Sequence, residues 1–464
     1  MPTARRLAAF RSLPRLALAV CAFAAALPAQ AGGTLTGFAV LPADTFAPGP
    51  TSGQFTNPAN GRVPPYVGAQ PVQGFSGVLS GPAPGTFHVM PDNGFGAKGN
   101  SADALLRMYA VQPDFRTATG GSGTVRAANF TTGAVQSSFN TSTFIGLRDP
   151  DNRLGFPIVA SLQNYPNGAG TIAVDPTIRA GRLLTGADFD IEAVRRDAQG
   201  NLWFGDEFGP YLVKTDATGK VLRSEIGLPG VQSPDDPKLG GSTPNLGGSR
   251  GFEGMAINEA GTRLYTLLEG TVSGDPAKSL RINEFDIASE RYTSRSFRYQ
   301  LDARGTAIGD MTAINDHEFL VIERDGTSGD PNGFKKIFRI DIDRLDANSF
   351  AAKTEVVDLM MLADPNDLNR DGSTLFNFPF VTIEDVLILD AGTLLVINDN
   401  NYPGGGGRGA GVADHSEFLR ISLSQSLTAV QPVPEPETYA LMLAGLGALG
   451  FVAKRRRGSR TRAN

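Results

Sequence analysis

The sequence repeats one short pattern: an acidic residue, an apolar strand, a polar turn, a second apolar strand and another acid. Its clearest copy is DFDIEAVRRDAQGNLWFGDEFGP at residues 188–210, and further copies follow at residues 251–270, 308–326 and 383–401. Each copy is a hairpin, and so small a sheet cannot bury both of its faces until a neighbouring copy packs against it. The repetition therefore predicts an all-β protein in which the copies are blades of a β-propeller.

The spacing of the copies bears on the number of blades. A fainter first copy at residues 74–94 has Ser76 where the others have an acid, and the later copies open at Glu192, Glu253, Asp310 and Glu384. The first interval is about twice the second, which favours six blades, one of them degenerate, over five blades with a large insertion. A strand predicted at residues 34–41 would complete the last blade and close the ring.

Both ends of the chain have the features of export signals. Residues 1–31 combine four arginines, an apolar run and a small-residue cleavage site, which predicts a secretory signal peptide that carries away the only cysteine, Cys21. Residues 431–464 contain the sequence VPEPE, an apolar stretch at 439–453 that predicts a short transmembrane helix, and a basic stop. The predicted propeller domain is therefore residues 32–430.

The order of features in this tail resembles the PEP-CTERM sorting signal of Gram-negative exopolysaccharide producers. The resemblance implies recognition by an exosortase-type membrane protease, a transient membrane anchor, and a final place at the cell surface or outside the cell. A plain C-terminal anchor is the alternative. Contact with a membrane is expected only through this tail.

The charge distribution excludes some partners and favours others. The whole chain has a net charge of −5, and without the four arginines of residues 1–31 and the six basic residues of 454–464 the remainder carries −15. A basic surface for nucleic acid is therefore not expected. Divalent cations are favoured as partners, although acidic surfaces also keep exported proteins soluble.

The recurrent acids are the candidate site. Equivalent positions of successive blades converge at the central tunnel, where Glu192, Glu253, Asp310 and Glu384 are predicted to form a ring of carboxylates. Acids at the ends of the second strands are further candidates for the lining, and they are Asp206, Glu207, Glu269, Glu323 and Asp399. Such like charges repel unless a cation lies among them, and oxygen ligands suit Ca²⁺ or Mg²⁺. The alternative is that each acid caps its own hairpin.

A metal in this ring would support hydrolysis. The predicted metal ligands are Glu192, Glu253, Asp310, Glu384, Asp206, Glu269 and Asp399. The predicted catalytic residues are Glu253 and Glu192, as acceptors of a proton from metal-bound water, and Arg250, which with Arg324 would stabilise developing negative charge.

Several of these segments also resemble a known family. GFSGV, DFDIEAV with NLWFGDEFGP, RGFEGMAI with LYTLLEG, FLVIERDG, and IEDVLIL with LLVINDNN are similar, in order, to the secreted phytase-like family described as having esterase-like activity of phytase. The similarity spans about residues 70–425. It includes the serine at Ser76 and departs at Asp385, where the family usually has glycine. The resemblance implies a propeller that hydrolyses an ester or phosphoester of a small molecule with metal assistance.

Two other functions remain open from the sequence. One is a lactonase resembling the gluconolactonase and regucalcin propellers, and the other is a non-catalytic binding or matrix propeller, because a fold does not fix an activity.

Three further motifs are weaker. Residues 247–251 match G-x-S-x-G, but Ser249 lies in a glycine-rich loop without the strand and helix of a nucleophile elbow. His317 is expected in a solvated turn, His88 in a strand, and His415 in a loop.

Residues 367–372 copy the opening of an EF-hand calcium loop but lack its closing acid, so an ordinary turn is the competing interpretation.

Overall fold

A computed structural model of the protein describes residues 32–167 and 171–427. Three four-stranded antiparallel sheets each consist of consecutive strands, and a fourth run of four consecutive antiparallel strands is joined to the last blade in a larger sheet. Strands β1 (Gly33–Leu41), β2 (Phe46–Pro48) and β3 (Ala69–Pro71) precede them, and β2 pairs with β3. Blade 1 contains β4 (Phe75–Ser80), β5 (Phe87–Pro91), β6 (Arg107–Asp114) and β7 (Thr124–Ala127).

The next elements are an insertion and two regular blades. The insertion carries β8 (Phe144–Gly146), a 3₁₀ helix (Val159–Ser161) and α1 (Pro176–Gly181). Blade 2 contains β9 (Ile191–Arg196), β10 (Leu202–Asp206), β11 (Tyr211–Thr215) and β12 (Ile226–Gly227). Blade 3 contains β13 (Phe252–Ile257), β14 (Arg263–Leu268), β15 (Ser279–Asp286) and β16 (Arg291–Gln300).

The last two blades complete the described chain. Blade 4 contains β17 (Ala307–Ala313), β18 (Glu318–Arg324), β19 (Lys335–Leu345) and β20 (Ala351–Asp358). A short pair follows, β21 (Leu362–Ala363) with β22 (Leu375–Phe376). Blade 5 takes β23 (Asp385–Asp390), β24 (Thr393–Ile397) and β25 (Ser416–Leu423) from the end of the chain and β1 from its beginning, because β1 pairs antiparallel with β25. The prediction that residues 34–41 close the last blade is confirmed.

The inner strands of the blades form a closed ring of five. Strands β4, β9, β13, β17 and β23 each contact the next one around the ring, and β23 contacts β4. Five apolar clusters separate successive blades, one at each interface. The β-propeller class is confirmed, and the residues that the structure describes form five blades with a large insertion, the alternative, and not the preferred six. The doubled interval reflects the insertion at residues 128–190, which packs into the core between blades 1 and 2.

The inner strands approach each other so closely that one position excludes any side chain. A Cβ atom on Gly309 in β17 would lie 1.9 Å from the carbonyl oxygen of Ile383, just before β23. We expect Gly309→Ala to lower the free energy of unfolding by about 3 kcal/mol, because the two backbones must move apart. Gly326→Ala is the matched control, since nothing lies within 4 Å of that Cβ. Urea denaturation of both variants makes the comparison, and equal stability would contradict this account of the ring.

The prediction of a transmembrane helix is corrected by the structure. Within residues 32–167 and 171–427, no helix is long and apolar enough to cross a membrane. The predicted signal peptide (1–31) and the predicted apolar tail segment (439–453) lie outside the described residues.

Candidate active site at the mouth of the propeller

The acids that open the inner strands of blades 2, 3 and 4 lie in β-bulges, whereas Glu384 directly precedes β23. In the β13–β14 pair, Phe252 faces Leu268 and Gly254 faces Leu267, so Glu253 has no partner in the ladder. The β9–β10 and β4–β5 pairs skip Glu192 and Ser76 in the same way. A bulge redirects the side chain of the extra residue, and here it lies at the inner edge of each blade. The repeated opening position in the sequence is thus a repeated bulge in blades 1 to 4.

The second strands end in a matching set of charged residues. Asp92, Glu207 and Glu269 directly follow β5, β10 and β14, and Asp399 lies two residues after β24. In blade 4 the corresponding residue is Arg324, because Ile308 pairs with Glu323 as Phe252 pairs with Leu268. The interpretation of Glu323 as a lining acid is therefore wrong by one position. Its carboxylate instead accepts hydrogen bonds from Tyr299 Oη and the Asp302 amide.

Arg324 binds acids from two other blades at the centre of the ring. Its Nη2 lies 3.1 Å from Glu253 Oε1, 3.2 Å from Glu269 Oε1 and 3.1 Å from Glu384 Oε1, and the side chain is buried. The second oxygen of Glu384 accepts a hydrogen bond of 2.8 Å from Ser76 Oγ. A protein cation therefore lies where the sequence predicted a metal ion at the centre of the ring.

Three of the predicted metal ligands have other partners. Asp310 is paired with Arg195 at 2.8 Å, because β17 bulges by two residues. Asp206 caps its own hairpin, since its carboxylate accepts hydrogen bonds from the amides of Asp190 and Gly209 at 2.9 and 2.8 Å. Asp399 accepts a hydrogen bond of 2.6 Å from the Asn401 amide. For these acids, local hydrogen bonding and ion pairing prevail over the predicted ring.

The remaining acids form two compact groups. Triad A consists of Glu207, Glu253 and Glu269. Triad B consists of Asp92, Asp190 and Glu192. In each triad, one carboxylate oxygen per residue lies within 4.8 Å of the others. The predicted ligands Glu253 and Glu269 are thus together in triad A, whereas Glu192 belongs to triad B.

Burial and repulsion raise the pKa of the Glu253 and Glu384 carboxyls. Burial is the largest cause at Glu253, and the charges of Glu269 and Glu384 add to it, while Arg324 opposes it. Burial together with the Asp399 charge raises the pKa of Glu384 to about 8. This cluster of buried carboxyl groups at one end of the ring, called the mouth below, therefore favours either bound protons or a bound cation.

One oxygen of triad A has no partner. Glu207 Oε1 is buried, and within the described residues nothing donates a hydrogen bond to it. An orphaned buried anion is costly, and a cation would remove that cost. The triad offers only hard oxygen donors, which is the ligand set that Ca²⁺ and Mg²⁺ prefer. The residues present therefore fit a divalent cation.

A cavity of about 430 Å³ adjoins triad A. Glu269 and Arg250 both line this cavity; Arg250 Nη1 contacts Glu269 Oε2, and the Arg250 side chain is about half exposed. The other lining residues come from blade 3 and the loops on either side of it, and they are Gly247, Gly270, Thr271, Lys278, Leu280, Leu301, Gly305 and Thr306. The site can therefore receive a small molecule next to the acids.

The G-x-S-x-G serine, Ser249, lies beside triad B and has no histidine as its partner. Ser249 Oγ is 3.5 Å from Asp190 Oδ2. The histidines have other partners: His88 Nε2 bonds the Phe130 carbonyl, His317 Nδ1 bonds Asp341, and His415 Nδ1 accepts from the Ala43 amide. The arrangement does not support a serine nucleophile.

The EF-hand-like segment adopts a turn in which its side chains bond locally. Asp367 Oδ1 accepts a hydrogen bond of 3.1 Å from the Gly372 amide, and Asn369 Nδ2 donates one of 2.8 Å to Asp371 Oδ2. These side chains satisfy each other, which favours the ordinary turn over a calcium loop.

The raised pKa values predict how stability depends on pH. Burial raises the pKa of Asp190 to about 6, of Asp399 to about 7 and of Glu384 to about 8. The folded protein then keeps protons that the unfolded chain has already released, so in EDTA its free energy of unfolding should fall as pH rises from about 5 to about 8. Saturating Ca²⁺ should flatten this dependence. Urea denaturation at both pH values measures it, and a pH-independent stability in EDTA would contradict the arrangement.

The fold and the mouth define a five-bladed β-propeller with buried acids and an adjoining cavity at one end of its ring of inner strands. The chain belongs to the family described as "Esterase-like activity of phytase", which matches residues 70–402. Residues 432–457 match the PEP-CTERM protein-sorting motif, which indicates export and sorting to the cell surface.

Individual similar proteins are more distant. An uncharacterized secreted protein of Arthroderma benhamiae is 24% identical over 183 residues, a match that covers 30% of this chain and 35% of that protein. The match thus spans about a third of that relative's length. Among solved structures, a GH43 β-1,3-galactosidase is 12% identical, with a TM-score of 0.39 and coverage of 78% of this chain and 93% of that one. Regucalcin from Agrobacterium tumefaciens is 13% identical, with a TM-score of 0.34 and coverage of 84% and 97%. Similarities this distant do not bear on the activity.

Proposed function

We propose that this exported protein hydrolyses an ester or phosphoester of a small molecule at triad A, with a bound divalent cation, Ca²⁺ first and Mg²⁺ as the alternative. The observation that carries the proposal is the convergence of Glu207, Glu253 and Glu269 beside an open cavity. Family membership supports the reaction class. Hydrolysis of a sugar lactone and non-catalytic binding are the competing functions, and the experiment below separates them.

The chain's own residues divide the work at this site. Glu207 and Glu269 would hold the cation, which when bound would polarise the substrate oxygen as a Lewis acid and lower the pKa of a water. Glu253 Oε1 is fixed by Arg324 at 3.1 Å, and its raised pKa suits Glu253 Oε2 to accept the proton of the attacking water. Arg250, at the edge of the cavity, binds the oxygen on which negative charge develops. Arg324 is a positioning residue, because it orients two of the acids.

A three-substrate screen tests the proposal. The protein without its tail is assayed on p-nitrophenyl phosphate, p-nitrophenyl acetate and a sugar lactone, each with Ca²⁺ and with EDTA. We expect Ca²⁺-dependent hydrolysis of one of the first two. Hydrolysis of the lactone alone would favour a lactonase, and Ca²⁺ binding without any hydrolysis would favour a binding protein. Either result would contradict the proposal.

We also propose that an exosortase-type protease is the partner of the tail, which the match at residues 432–457 supports. Deletion of residues 431–464 should move the protein from the membrane and cell-surface fractions into the medium, because the apolar stretch and basic stop are then absent. Immunoblotting of the fractions measures the distribution. An unchanged distribution would contradict a sorting role.

A further inference from the structure

We propose that triad B binds a divalent cation of its own, separate from the cation at triad A, and that this cation ties blade 1 to blade 2. Asp92 follows the second strand of blade 1, whereas Asp190 and Glu192 lie at the start of the first strand of blade 2. One carboxylate oxygen from each lies within 4.8 Å of the others. The inference does not depend on the reaction proposed for triad A.

Glu192 is the observation that points to a ligand. Its side chain is 7% exposed, and the bulge between β9 and β10 directs it toward Asp92 and Asp190. Among the described residues, no donor outside triad B bonds its carboxyl, and carboxylate oxygens of Asp92 and Asp190 lie within 4.8 Å of it. A buried anion that faces two other anions lacks a counter-charge, and a cation between them supplies it.

The two aspartates are already oriented for binding. Asp92 Oδ1 accepts a hydrogen bond of 2.7 Å from the Gly94 amide, and Asp190 Oδ1 accepts one of 2.7 Å from Asn93 Nδ2. Asn93 is itself fixed, since its Oδ1 accepts hydrogen bonds from the Gly96 amide and Ser101 Oγ. Each aspartate is therefore held by a short hydrogen bond to one oxygen, and the other oxygen, which in Asp190 accepts only the long contact of 3.5 Å from Ser249 Oγ, can bind an ion.

Triad B needs an external cation more than triad A does. Arg324 contacts Glu253 and Glu269, and Arg250 contacts Glu269, so two guanidinium groups already offset part of the charge of triad A. No lysine or arginine among residues 32–167 and 171–427 forms an ion pair with a member of triad B. The donors are all oxygens, and Ser249 Oγ lies 3.5 Å from Asp190 Oδ2, so Ca²⁺ is the class of ion that fits.

The position of triad B gives its cation a structural role. The insertion at residues 128–190 interrupts the chain between blades 1 and 2, so no short loop joins those two blades. A cation shared by Asp92 and the two acids of blade 2 would link them at the mouth. Asp190 repels Glu207 and Glu192 repels Glu253, so the two triads share one negative field. Filling one site should therefore ease repulsion at the other.

Calorimetric titration with Ca²⁺ tests the inference on the purified, chelator-stripped secreted protein. We expect two ions per chain in the wild type. Glu192→Gln and Asp92→Asn should each leave one ion, Glu207→Gln should leave one, and Glu192→Gln combined with Glu207→Gln should leave none. Asp371→Asn, which removes a carboxylate from an exposed turn, is the control and should leave two.

The outcomes separate this inference from the proposed function. One ion in the wild type that Glu207→Gln abolishes, and that both Glu192→Gln and Asp92→Asn retain, would overturn the site at triad B alone. One ion in the wild type that Glu192→Gln and Asp92→Asn each abolish, and that Glu207→Gln retains, would support triad B and contradict a cation at triad A. Thermal unfolding gives a second readout: Ca²⁺ should raise the Tm of the wild type more than that of Glu192→Gln or Asp92→Asn, and equal shifts would overturn the link between blades.

Discussion

Replacement of Glu253 by glutamine should lower kcat/KM for the hydrolysed ester about 10³-fold, within the range for loss of a positioned general base. Glutamine keeps an oxygen for Arg324, so the geometry of the ring survives while the proton acceptor is lost. Because the substitution leaves the cavity lining intact, KM should change little and the loss should fall on kcat. Steady-state kinetics with the ester identified in the screen measures both.

Removal of the divalent cation should have an effect of the same order. Dialysis against EDTA should abolish hydrolysis, and added Ca²⁺ should restore it in the wild type but not in Glu253→Gln. Asp371→Asn is the control for both treatments and should retain wild-type kinetics. Activity that survives both EDTA and Glu253→Gln would end the case for catalysis at triad A.

Replacement of Arg324 by methionine should lower the free energy of unfolding by about 3–5 kcal/mol, the cost of removing one partner from a buried ionic group. Methionine has a similar length, so the change is mainly the loss of charge among Glu253, Glu269 and Glu384. The loss should be larger at pH 8 than at pH 5, because burial raises the pKa of Glu384 to about 8 and protonation at low pH relieves the repulsion. Urea denaturation in EDTA at both pH values measures it.

Arg250→Met is the matched control for this variant. Arg250 also pairs with Glu269, but its side chain is about half exposed, so its removal should cost no more than about 1 kcal/mol. If the two arginine variants lose the same stability, Arg324 does not hold the ring together. If the loss in Arg324→Met is the same at pH 5 and pH 8, the repulsion among the three acids is not its cause.

The repeated pattern predicted much of the fold and part of the site. Alternating apolar residues, tight turns and a recurring acid are local signals, so the blades, the closing strand and the place of Glu253 at the mouth follow from sequence. The number of blades could not be predicted from the sequence. A degenerate blade and an insertion of the same length would separate two copies of the pattern by the same number of residues. Where the structure describes it, the insertion at residues 128–190 consists of turns, one short strand, one 3₁₀ helix and one short α-helix.

The errors within the site arise from strand register. In β17 the bulge takes up both Gly309 and Asp310, which places Arg324 at the position that the sequence pattern assigned to Glu323. A shift of one residue turns a side chain to the other face of a strand, and no sequence signal marks a bulge of two. Triad B was partly visible, since Asp92 ends the first copy and Asp190 begins the second. Their meeting depends on the contact between blades 1 and 2.

The most direct test of the account is anomalous diffraction from crystals of the secreted protein grown with Tb³⁺ in place of Ca²⁺. The central claim is that acids from different strands converge to hold a cation at the mouth of the ring. We expect an anomalous peak at about 2.3–2.6 Å from carboxylate oxygens of Glu207 and Glu269, with Arg324 still bound to Glu253. Peaks confined to surface carboxylates, with triad A holding only water, would contradict the claim.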